Sequence, residues 1–109
     1  MTERIRDEAL VVRGGRNHPA DVKRGTATHP GGVTGFSVEC AEGLSVAELA
    51  ASLPHAQVGV TTVAIIRAAG GDVVRTTGRG PHHATVVGLS EDEASRLLAP
   101  AIPNPAKQP

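Results

Sequence analysis

The chain has no Trp, no Tyr, one Phe and one Cys. Each of these shortages excludes something. Single-stranded nucleic acids bind on aromatic stacking platforms, which are missing here. Cys40 has no second cysteine with which to form a disulfide within the chain or a cysteine-based zinc cluster. Eleven Lys and Arg against eleven Asp and Glu give zero net charge, which argues against a generic polyanion binder and ranks nucleic acid last among partners. No apolar run approaches the roughly 20 residues of a membrane helix. The start, Met1-Thr2-Glu3-Arg4-Ile5-Arg6-Asp7, carries charge where a secretory signal carries an apolar segment. The expectation is a cytoplasmic protein with no membrane partner.

What is present fits one small domain: 109 residues, 39% hydrophobic and 20% charged, with no internal repeat. We read residues 1–99 as that domain and residues 100–109 as a flexible or extended tail, because it holds four of the eight prolines. Ala9 to Arg13 reads as a strand ended by Gly14-Gly15, with Arg13 at its tip. Val33 to Cys40 reads as a second strand. Its apolar face carries Phe36, Val38 and Cys40, so Ser37 and Glu39 face solvent or a cleft. Ser45-Val46-Ala47-Glu48 and Ser90-Glu91-Asp92-Glu93 are capping boxes that open two helices. Thr61 or Thr62 caps a third through Val63 to Ala69, for which a strand is the rival assignment. Asp72 to Thr77 and His82 to Gly88 form two strands joined through Gly78-Arg79-Gly80-Pro81. The order β, loop, β, α, α, β, β, α implies an α+β domain: a mixed sheet of about four or more strands with about three short helices. The core must come from Val, Leu, Ile and Ala, so its stability margin is modest, and a protein partner or homo-oligomer would add to it.

Chemistry concentrates between residues 13 and 32. This segment has four basic residues against one acid, with two His and five Gly. Glycines let backbone amides approach a ligand, and arginine offers a fixed fork of donors that suits phosphate oxygens. Arg13, Gly14, Gly15, Arg16 and His18 are therefore the candidate ligand-binding residues. Neither the Gly-x4-Gly-Lys-Ser/Thr loop nor a Gly-x-Gly-x-x-Gly turn is present, which argues against the standard nucleotide folds. His82 and His83 point to opposite faces of a strand and cannot share a metal there, so no metal is expected. His83 and Thr85 share a strand face and form the one histidine pair kept as a candidate site, and His83 is grouped with Arg13, Gly14, Gly15, Arg16 and His18 as a cofactor-binding candidate. Glu91 and Glu93 could be catalytic carboxylates, although their place in a first helical turn already explains them.

Arg13-Gly14 at the end of a first strand, followed by Gly35-Phe36-Ser37 on a later one, resembles the opening of small ADP-ribosyltransferase-fold proteins, including bacterial toxins of the type VI secreted kind. The resemblance implies that Arg13 holds the phosphates and ribose of NAD, that Ser37 supports the nicotinamide ribose region, and that a late Glu orients the acceptor or the ribose hydroxyl. Glu91-Asp92-Glu93 has the family's Glu-x-Glu form but opens a helix here. Glu39 is a second carboxylate on the face of Ser37, outside the family's position. The expectation is an NAD-binding, transferase-like toxin domain with Arg13, Ser37, Glu39, Glu91 and Glu93 as catalytic candidates. The rival is a non-enzymatic interaction protein or accessory subunit.

Overall fold

The computed structural model describes residues 4–28, 32–78 and 80–107. Residues 29–31 of the glycine-rich segment, including His29, and Arg79 lie outside the described residues, as do residues 1–3 and 108–109 at the two ends. Seven strands and four α-helices are found among the described residues: β1 Leu10–Gly14, α1 Pro19–Gly25, β2 Thr26–Thr28, β3 Thr34–Ala41, α2 Val46–Ala50, β4 Gln57–Thr62, α3 Val63–Ala68, β5 Asp72–Arg75, β6 His83–Val87, α4 Glu91–Leu98 and β7 Ile102–Pro103. A short 3-10 turn, Pro105–Lys107, closes the described chain. The domain is α+β as expected, with one helix more than the sequence suggested.

The sheet runs β5-β6-β3-β1-β4-β7, with β2 added beside β3. Every pairing among the described residues is antiparallel, where a mixed sheet was expected. Strand alternation then sorts the side chains into two layers. One face carries Val11, Phe36, Val38, Cys40, Ala84 and Val86, and packs Val22 of α1, Ile66 of α3, and Ala94 and Leu98 of α4. The other carries Val12 and Val58 and is covered by Leu49 and Ala50 of α2. Helix α2 spans five residues and covers only the part of its face around Val12, Val58 and the Ala41 end of β3. The remaining part, over β3 and β6, is therefore open to build a site.

Three differences from the sequence reading have clear causes. The stretch taken as a loop after Gly14 contains α1, which buries only Val22 and so shows no apolar stripe. Gln57 to Thr62 is strand β4, with Thr62 both ending the strand and capping α3 by accepting from the Ile65 amide at 3.2 Å. The run from Val63 is thus helical, and the strand alternative is excluded. The proline-rich stretch runs along β4, where Gln57 pairs with Pro103 and Val58 with Ile102. Asn104 is buried there, with its amide donating to the Ala56 carbonyl at 2.8 Å and its Nδ2 to that of His55 at 2.9 Å.

Candidate functional site

Arg13 lies on the helical face of β1, and its guanidinium is spent mostly inside the fold. Nη1 donates to Asn17 Oδ1 at 2.6 Å and Nη2 to the Asp21 carbonyl at 3.3 Å. The guanidinium carbon sits 5.3 Å from the Phe36 ring centroid, a cation–π distance. Burial lowers its pKa and the nearby Asp21 charge opposes this, yet an arginine remains protonated in either case. Arg13 thereby clasps β1 to the first turn of α1.

A pocket of about 440 Å³ opens beside this clasp, lined by Arg13, Gly14, Gly15, Arg16, Arg24 and His55, with Asp21 as its one carboxylate. Arg16 is exposed and Arg24 is paired with Asp21. Partial desolvation pushes the Asp21 carboxyl up, but the His18 amide, donating at 3.1 Å, and the charges of Arg24, Arg16 and His18 together hold it below its ordinary value. The His55 ring lies directly against Gly14, where any Cβ would collide with it. Glycine here is what allows the ring to form a wall. His18 is exposed at the start of α1 and does not line the pocket.

The other predicted residues separate into two groups. Ser37, Glu39, His83 and Thr85 gather on the open part of the α2 face, because the β3–β6 register places Glu39 opposite His83 and Ser37 opposite Thr85. Thr76 completes this group: its hydroxyl is 2.8 Å from both His83 Nδ1 and the Thr85 hydroxyl. Ser37, Glu39 and His83 line a second pocket of about 340 Å³, bounded by Val12, Ser52 and Pro54 and sharing Arg13 as a wall with the first. His83 therefore does not join the arginine pocket with which it was grouped.

Glu91 and Glu93 reach neither pocket. They belong to α4, on the sheet face opposite the second pocket, where Glu93 closes the capping box with Ser90 and is held below its usual pKa by the Ser90 backbone and hydroxyl. Their structural explanation is sufficient. No group of three or more His, Cys, Asp or Glu suited to a metal occurs among the described residues. No helix is long and apolar enough to cross a membrane among them.

Sequence reasoning missed His55, Arg24, Ser52 and Thr76. His55 and Ser52 follow α2 in a loop whose approach to β1 depends on long-range packing. Comparison with protein-family models, curated proteins and solved structures finds no match to this chain.

Proposed function

We propose that this protein binds a phosphate-bearing ligand in the arginine pocket, with NAD or a related nucleotide as the ligand that the Arg13-Gly14 and Gly35-Phe36-Ser37 resemblance implies. The observation carrying this reading is the convergence of Arg13, Arg16 and Arg24 on one pocket against the single carboxylate of Asp21. The arginines divide the work. Arg13, held by Asn17 and the Asp21 carbonyl, supplies a fixed positive field and shapes the turn. Arg16 is exposed and brings an uncommitted fork to an incoming oxyanion. Arg24 can exchange its contact with Asp21 for one with phosphate. No carboxylate other than Asp21 lines the pocket, so the proposed activity is binding and no transfer step is drawn.

The test is an NMR titration of the Gly14, Gly15 and Arg16 amides with NAD, ADP-ribose and inorganic pyrophosphate, beside Arg16→Ala. Arg16 is the better probe than Arg13, whose loss would also loosen α1. Saturable shifts that weaken in the variant and with rising salt support the reading. The absence of shifts at millimolar NAD and pyrophosphate removes it.

A further inference from the structure

The second pocket is lined by a carboxyl side chain that has no partner among the described residues. Glu39 is 5% exposed. Its carboxylate oxygens have no hydrogen bond or ion pair among the described residues and are not among the sealed, unpartnered oxygens, so they open into the cavity that Gly78 and Gly80 border. A carboxylate on a side chain this enclosed has given up part of its hydration, a loss that a donor in the cavity would replace.

The surroundings are built to keep it there. A Cβ at Gly80 would collide with Glu39 Oε1, and one at Gly78 would collide with the His83 ring, so these two glycines lie directly on the two side chains. His83 is fixed from behind by the Thr76 hydroxyl at 2.8 Å and by the Thr76 carbonyl, 3.4 Å from the same Nδ1. Around the carboxylate stand the hydroxyl-bearing Ser37 and Ser52, then the apolar walls of Val12, Leu53 and Pro54. One end of the cavity therefore asks for positive N–H donors and the rest for a short hydrocarbon body.

We propose that this pocket is a binding site for a small organic cation with N–H donors, an alkylammonium or alkylguanidinium group, whose charge pairs with Glu39 and whose carbon chain lies on Val12, Leu53 and Pro54. The group can belong to a free amine or to a basic side chain of a peptide. Its chemistry is opposite in sign to that of the arginine pocket, and the inference stands whether or not a nucleotide binds there.

The experiment is an NMR titration of the full chain with butylammonium and ethylguanidinium, following the Val12 and Leu53 methyls and the Glu39 side-chain carboxyl carbon. N-acetylarginine methylamide tests the peptide source, and 1-butanol is the neutral isostere. Saturable shifts confined to this pocket are expected for the cations, with affinity about tenfold or more lower for Glu39→Gln, since a hydrogen bond to a charged group carries that difference. Shifts from the free cations but not from the arginine derivative assign the site to free amines; shifts from both admit a peptide side chain. Equal binding by wild type and Glu39→Gln, equal binding of 1-butanol by the wild type, or no shift at tens of millimolar cation overturns the proposal. The butanol comparison uses unaltered protein, so the test survives a variant that fails to fold.

Discussion

Asn17 and Arg13 hold each other reciprocally: the guanidinium donates to Asn17 Oδ1 at 2.6 Å, and Asn17 Nδ2 donates back to the Arg13 carbonyl at 3.1 Å. Nδ2 also reaches the Gly15 carbonyl at 3.0 Å, so one side chain stitches the turn between β1 and α1. Asn17 is fully buried and has φ of 59°, a left-handed conformation that Asn tolerates better than most residues. The turn that shapes the arginine pocket thus depends on a residue that does not line it.

Asn17→Ala should accordingly be among the costly substitutions. It strands two carbonyls and a partly buried guanidinium and leaves alanine at positive φ, for a loss of about 2–4 kcal/mol. Asn17→Gly relieves the backbone while losing the same hydrogen bonds, and should recover part of that loss. Urea unfolding of both variants checks this. Equal stability of the two would show that backbone conformation contributes nothing.

This clasp also marks where sequence reasoning stops. Arg13 at the tip of β1 was legible from a short apolar run ended by two glycines, and the Ser45 and Ser90 capping boxes were legible because both partners lie three residues apart. Ser37 and Glu39 were legible as an outward-facing pair from strand alternation. The burial of Glu39 was not, since it is imposed by Ser52 to Pro54 and by Gly80, all distant in the chain. Likewise, the side of the sheet on which Arg13 lies relative to Ser37 follows from the pairing of Val12 with Glu39, a register that no local pattern states. That register turns the Arg13 side chain to one side of the sheet and Ser37 to the other, although both residues line the second pocket.

Acid should weaken the fold in a defined window. The Glu48 carboxyl is held below its ordinary value by the Ser45 amide and hydroxyl, and Glu93 by those of Ser90. Asp72 is pushed up by partial burial but held down overall by hydrogen bonds from Arg67 and the Val73 amide. Each folded-state pKa lies below the unfolded one, so the unfolded chain binds more protons as pH falls. Their stabilisation is therefore complete above the unfolded carboxylate range, about pH 4–5, and is lost as pH drops through the folded values. Melting temperature measured from pH 7 to pH 2 should fall below about pH 4.5. In the double variant Glu48→Gln, Glu93→Gln the fall should be shallower; an unchanged profile would remove the capping carboxylates as its cause.

Asn104 connects the C-terminal stretch to the pocket wall. It is 1% exposed, and besides holding the His55 carbonyl its Oδ1 accepts from the Ala106 amide at 2.9 Å. Asn104→Ala should release the loop that carries His55 and cost about 1–3 kcal/mol, because buried carbonyl and amide groups lose their partners. Amide exchange should quicken at Ala56, Asn104 and Ala106 while β3 and β6 stay protected. Uniform quickening across the sheet would mean that the residue supports the whole core instead of this loop.

Thr61 offers the opposite sign. It is 5% exposed on the helical face of β4, opposite Val11, and its hydroxyl is the one buried side-chain oxygen without a hydrogen-bond partner among the described residues. Phe36, Ile66, Leu97 and Leu98 border the same small apolar gap, too tight to hold water. A hydroxyl there has lost its hydration and gained nothing, whereas valine has nearly the same shape and no donor to strand. Thr61→Val should therefore stabilise the protein by about 1 kcal/mol, while Thr61→Ala should destabilise it by leaving a cavity. Thermal and urea unfolding of the two variants decide the matter. A less stable Thr61→Val would mean that the hydroxyl is hydrogen-bonded in solution and that this face of the core is wetter than its apolar lining implies.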